Sequence, residues 1–340
     1  MSNYSIRELK SEEAEKWNQI ADNSQYGSIF QSYSWLKNIA SETEFQFLPL
    51  IVEKEGHGPV ALIPIYIKKK KGITIACSPP PGCAVPHLGP LFSFSSDNQY
   101  RMESEYREIT DSILAYLEKQ SVDYCRFAFI PECKDIRPFT WRGFTTSVNY
   151  TYRMKLNDID HEEIRDGYDK KVRKMIRKFE RGFPDASVRE TNIEQVVGQV
   201  KSRYDEKGRD HSISLSYFKE VKEGMGDRVQ PLGVFIDDKF ISGTILLHQN
   251  NGTLAWLGGT SVDWKFNGVN EYLRNWIIRD LLNKGIPFFE TIGANTEQLC
   301  EHKAKYNFRP IPYYIVEKMN GKAKMAKWAA KFMGFSGRDI

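Results

Sequence analysis

An internal duplication constrains this chain more than any other feature. "LPLIVEKEGHGPVALIPIYIKKKKGITIACSPPPG", from residue 48, and "QPLGVFIDDKFISGTILLHQNNGTLAWLGGTSVD", from residue 230, share one plan. Each reads as a strand, a polar turn, a second strand, another turn and a third strand, the pattern of an antiparallel meander. An amphipathic helix running into an apolar strand follows in both, as "YREITDSILAYLEKQSVDYCRFAFIP" and "NEYLRNWIIRDLLNKGIPFFETIGAN". Ile109, Ile113 and Leu117 mark the first helix at helical spacing; Leu273, Ile277 and Leu281 mark the second. A short helix and a hairpin-like finish close each half, and these helix and closing segments recur about 165 residues apart. The expectation is two related α+β domains, residues 1–152 and 153–320, each a mostly antiparallel mixed sheet flanked by helices, with a tail over 321–340.

Length and composition agree with that plan. A chain of 340 residues exceeds one ordinary core. With 41% hydrophobic and 27% charged residues it has globular composition, and a net charge of +4 gives no global affinity for polyanions. The five cysteines are odd in number and contain no C-x-x-C pair, which reads as reduced thiols in a cytoplasmic protein. Cys77, Cys83 and His87 lie close in "CSPPPGCAVPH", but a fourth ligand is missing, so the stretch reads as a Pro-rich structural loop. The N-terminus has no signal-like apolar core, and no apolar run approaches the roughly 20 residues that span a bilayer.

Two segments concentrate basic charge. In "DKKVRKMIRKFERGFPDASVRE" the apolar Val172, Met175, Ile176 and Phe179 form one stripe, and Lys170, Lys171, Arg173, Lys174, Arg177, Lys178 and Arg181 occupy the rest. Such a helix is either a solvated amphipathic surface or a phosphate-binding face. The tail "GKAKMAKWAAKFMGFSGRDI" sets Met325, Trp328, Ala329 and Phe332 against Lys322, Lys324, Lys327 and Lys331. It suits docking on its own domain or peripheral contact with the inner face of a membrane.

The segment "GANTEQLCEHKAKYNFRPIPYY" carries the most chemistry. Asn295 can cap its helix with Gln298 three residues on, and Glu301 and Lys305 stand i,i+4 in the favourable order. Leu299, Lys303 and Tyr306 share a face, so the pattern predicts Lys303 turned toward the sheet and Lys305 toward solvent.

The whole element order resembles the tandem GNAT-like fold of the Fem-type (FemABX) transferases. "SQYGSIFQSYSWLKN" is similar to that family's entry motif, "RKMIRKFERG" to its basic helix, and the last helix and strand to its closing segment. The resemblance implies transfer of an activated acyl or aminoacyl group onto an amine, as in cell-wall or cell-surface polymer biosynthesis. It implies no tightly bound cofactor, with acyl-CoA or aminoacyl-tRNA as co-substrate. The acceptor would be an amine-bearing molecule, including lipid- or nucleotide-linked ones. Lys303 matches the family lysine that stabilises charge at the reacting carbonyl. Lys37 matches the entry-motif lysine that pairs with substrate phosphates, and Tyr217 a substrate-contacting tyrosine. Trp256, Asn295, Glu297, Arg173 and Arg177 complete the expected substrate-binding set.

The sequence departs from the family at three places, one of them His302, which stands where an aromatic precedes the family lysine. The arginine expected four residues before Tyr217 is Ile213, with Arg209 or His211 as nearby substitutes. The turn "VDWKFNGV" lacks the glycine-rich pyrophosphate loop of CoA-dependent relatives. An alternative function is therefore a non-catalytic protein of the same fold that binds RNA or an anionic glycolipid through the basic helix.

Overall fold

The computed structural model describes residues 3–24, 26–208, 213–250, 252–294 and 296–332, the last five as backbone. The chain forms two compact units, Met1–Asn149 with Tyr313–Ile340, and Tyr150–Pro312.

The first unit opens with β1 (Tyr4–Glu8), α1 (Ala14–Asn23) and α2 (Tyr33–Thr43). The expected meander follows as β2 (Gln46–Lys54), β3 (Gly58–Lys70) and β4 (Ile73–Ser78), all antiparallel neighbours. A short β5 (Leu91–Phe92) adds to β3, and α3 (Gln99–Lys119) leads to β6 (Tyr124–Ala128), which runs parallel to β4. Ile109, Ile113 and Leu117 of α3 are all buried against that sheet, as their spacing requires. After α4 (Arg137–Trp141), β7 (Thr145–Lys155) carries the chain into the second unit.

The second unit contains α5 (His161–Asp166), α6 (Lys170–Gly182), β8 (Ser187–Glu190), α7 (Ile193–Glu206) and α8 (Leu215–Met225). Its meander is β9 (Val229–Ile236), β10 (Lys239–Gln249) and β11 (Gly252–Thr260), with β8 beside β9. Then come α9 (Val269–Asn283), β12 (Phe288–Thr291) parallel to β11, and α10 (Glu297–Ala304). β13 (Arg309–Met319) returns to the first unit and α11 (Gly321–Phe332) ends the described chain. The core of this unit joins Val172, Ile176 and Phe179 of α6 to Leu273, Ile277 and Leu281 of α9.

Each closing strand pairs away from the helix and strand that precede it. Tyr152–Lys155 of β7 pair with β12 in the second unit, and Ile315–Met319 of β13 pair with β6 in the first. The sequence reading leaves both closing strands with the half they follow. Periodicity records which helix a strand succeeds, whereas the pairing partner depends on where the chain runs after α4 and α10.

The tail helix is docked at its start. Asn320 caps α11 by accepting from the Ala323 amide at 2.9 Å, and its own amide donates to Asp123 at 2.8 Å. Lys322 donates to the Gly72 carbonyl at 2.6 Å and Ala323 is buried, while Met325 remains 69% exposed. The side chains of Trp328 and Phe332 lie outside the described residues. No described helix is long and apolar enough to cross a membrane.

Candidate active site

β11 and β12 diverge, and a cavity lies where they do. β11 spans nine residues, yet only Thr253–Ala255 pair with β12. Among the described residues, Leu257–Gly259 therefore have no strand partner on that edge. Against β10 the register skips from Ala255 to Leu257, so Trp256 is an extra residue, a bulge of the kind that re-aims a side chain. A cavity of about 460 Å³ opens here. Its walls are Thr244 of β10, Trp256–Gly259 of β11, Asn270 and Arg274 of α9, Thr291 of β12, and Leu299, His302 and Lys303 of α10. Among the described residues, no carboxylate lines it.

Lys303 is 5% exposed, and its ammonium is held by the end of β12. Nζ donates to the carbonyls of Thr291 and Ile292 at 2.9 Å each and to that of Gly293. All three ammonium protons thus meet backbone carbonyls. Burial, followed by the nearby Arg274 guanidinium, pushes its pKa down to about 8. The carbonyls oppose this by favouring the charged form. The Tyr152 ring adds a face 5.6 Å from Nζ. Beside it His302, half-buried and near Arg274, has its pKa pushed down to about 4 and is neutral at ordinary pH.

α10 itself is capped by Thr296, whose hydroxyl accepts from the Leu299 amide at 3.3 Å. The expected cap at Asn295 lies outside the described residues. Lys305 faces outward and pairs with Glu301 at 2.8 Å. Leu299, on the same helical face as Lys303, lines the cavity and is 47% exposed.

Of the residues expected to bind substrate, Trp256 joins Lys303 at the cavity. Tyr217 is buried on α8 and packs edge-on against Trp256, with ring centroids 6.3 Å apart. Glu297 is exposed in the first turn of α10. Arg173 pairs with Asp166 at 3.3 Å, and Arg177 is exposed on α6. Lys37 is exposed on α2 in the first unit. Arg209 and His211 lie outside the described residues.

Sequence reasoning missed Asn270, Arg274 and Thr244. Arg274 stands at the edge of the apolar stripe of α9, one turn beyond Asn270, and that placement is the signal that could have found both. In "VDWKFNGV" the Trp264 and Phe266 rings pack on Phe183, with centroids 5.2 and 4.9 Å from it. Cys77, Cys83 and His87 are buried, and the described residues contain no cluster of three metal-ligating side chains.

Residues 168–304 match the family described as "Acetyltransferase (GNAT) domain". No curated protein matches the chain. Among solved structures, FemX aligns with a TM-score of 0.68 at 10% identity, over 91% of this chain and 96% of that one. L-PGS from Bacillus licheniformis aligns at 0.58 and 13% identity, over 92% and 93% of the two chains. A tandem GNAT protein from the clavulanic acid biosynthesis pathway aligns at 0.53 and 12% identity, over 93% and 98%.

Proposed function

We propose that this chain, which has the Fem-like tandem GNAT fold, transfers an activated acyl or aminoacyl group to an amine at the cavity between β11 and β12. The observation that carries the reading is the cavity that Trp256 and Lys303 share where β11 and β12 diverge.

The chemistry asks for positioning and for stabilisation of one developing negative charge. The donor carbonyl lies along Leu257–Gly259 of β11, beyond the residues that pair with β12. The amine lone pair forms the new C–N bond, and the bond from the carbonyl carbon to sulfur or ribose oxygen breaks. The amine's proton goes to the leaving group or to solvent, since neutral His302 with a pKa of about 4 is a weak base. Lys303 holds the carbonyl end of β12 and keeps a positive charge beside the reacting carbonyl. Acyl-CoA or aminoacyl-tRNA serves as the donor, and no resident cofactor takes part.

The test is turnover by the purified full chain with acetyl-CoA, longer acyl-CoAs and charged tRNAs across amine acceptors. The expected result is release of thiol or uncharged tRNA with one donor class, reduced by Lys303→Ala. No turnover with either class overturns the reading.

A second reading rests on α6. Lys170, Lys171, Lys174, Arg177, Lys178 and Arg181 are exposed opposite buried Val172, Ile176 and Phe179. This face supports docking of a phosphate-bearing partner, either the donor of the reaction or an RNA or glycolipid bound without chemistry. Salt-dependent RNA binding that survives Lys303→Ala, in a chain without transferase activity, would favour binding alone.

A further inference from the structure

Among the described residues, Arg274 is a guanidinium without a counter-charge. It lines the cavity from α9, with Cζ 4.8 Å from the centre of the Tyr306 ring and 6.0 Å from that of Phe308. These rings hold the plane of the side chain but leave its edges unsatisfied. Nη1 is buried without a hydrogen-bond partner, and no carboxylate pairs with the side chain among the described residues. Glu271 stands one turn earlier at i−3, the usual position for a helical partner, and makes no ion pair with it. Lys303, the other cation of the cavity, has its ammonium protons on the carbonyls of Thr291, Ile292 and Gly293. One planar fork is therefore the charge available to a ligand in a cavity that no acidic side chain lines.

We propose that Arg274 receives a carboxylate of the substrate, so that the acceptor is an amino-acid-like molecule bearing a free carboxylate beside its amine. One guanidinium matches one carboxylate, and a flat aromatic setting suits a planar monoanion. The Thr244 hydroxyl is already bonded to the Leu257 carbonyl and the Lys303 ammonium is committed, so a phosphate would meet one cationic fork here rather than several. The proposal deepens the transferase reading by naming a substrate class, yet its test reads binding and needs no turnover.

The test is calorimetric titration of the full chain with N-acetyl-alanine and N-acetyl-glutamate, each against its amide, and with inorganic phosphate. At least one acid is expected to bind roughly tenfold or more tightly than its amide, and Arg274→Gln to remove that preference. Arg274→Lys keeps the charge and the stem but loses the fork, and is expected to weaken the acid with the fold intact. The acid-to-amide comparison on the unmodified chain needs no variant at all. Equal binding of acid and amide, no binding of either acid, or binding of phosphate in place of the acids overturns the proposal. Acid binding that depends on Arg274 without any turnover would sustain it while the transferase reading fails. Turnover with acceptors that lack a carboxylate, at undiminished rate, would do the reverse.

Discussion

Lys303 Nζ donates to the backbone carbonyl of Thr291 at 2.9 Å, from a side chain that is 5% exposed. This bond and its companions to Ile292 and Gly293 tie α10 to the end of β12, where the cavity opens. Lys303→Ala leaves these carbonyls without their donor and is expected to cost roughly 1–3 kcal/mol in urea denaturation. Loss of the fixed charge is expected to lower transferase turnover by on the order of tenfold to a hundredfold. Lys305→Ala removes only a solvent-facing pair with Glu301 and is expected to change neither quantity measurably. Equal losses in the two variants would end the distinction between the inward and outward lysines.

Much of this was legible in the sequence, for reasons that particular residues make plain. The repeated meander is written in alternation and turns, and β2–β4 and β9–β11 follow it. The inward Lys303 follows from its i−3 relation to Tyr306, since both are buried. Strand exchange was hidden, because β7 and β13 have the same local pattern whichever sheet they join. Arg274 was hidden because a stripe reading records the apolar positions of α9 and passes over the charged residue at their margin. The bulge at Trp256 was equally silent, since it arises from the register between two strands.

Gly268 and Gly259 separate folding from the cavity. Gly268 has φ +108°, and a Cβ there would lie 2.8 Å from the Met175 carbonyl oxygen and 3.2 Å from Phe179 Cβ. Gly268→Ala therefore strains the turn and pushes α9 from α6, at an expected cost of about 1–3 kcal/mol in urea denaturation. Gly259 meets nothing closer than Val200 Cγ2 at 3.5 Å, an ordinary contact. Gly259→Ala is expected to keep stability within about 0.5 kcal/mol while narrowing the cavity and discriminating against longer acyl donors, read as the ratio of kcat/KM values.

Glu290 and Arg153 face each other across β12 and β7, and the deeper charge is the acid. Glu290 is 2% exposed and accepts from Arg153 Nη2 at 2.7 Å and from the Thr151 hydroxyl at 2.9 Å. The Arg153 side chain is 19% exposed and stacks on Phe288, so it retains access to water when its partner is removed. Arg153→Met strands a buried carboxylate and is expected to cost roughly 3 kcal/mol or more, whereas Glu290→Gln costs less. Chemical denaturation of both variants decides the order, and a reversed order would contradict the burial argument.

His302 makes a pH prediction whose sign follows from its direction of shift. Its imidazole is half-buried, and desolvation, followed by the nearby Arg274, pushes its pKa down to about 4, against an ordinary value of 6.5. As pH falls below about 6.5, the unfolded chain takes up a proton that the folded chain refuses. The stability tied to neutral His302 is therefore fully present above that pH and is lost progressively as pH falls to about 4. Below this, both states are protonated and the difference stays constant. His161 and His248 are shifted the same way by burial, so the contrast must be drawn against His302→Gln rather than from the unmodified chain alone. The urea midpoint of the unmodified chain is expected to fall more steeply between pH 6.5 and 4 than that of His302→Gln. Parallel slopes would mean that the imidazole reaches solvent and charges freely in the fold.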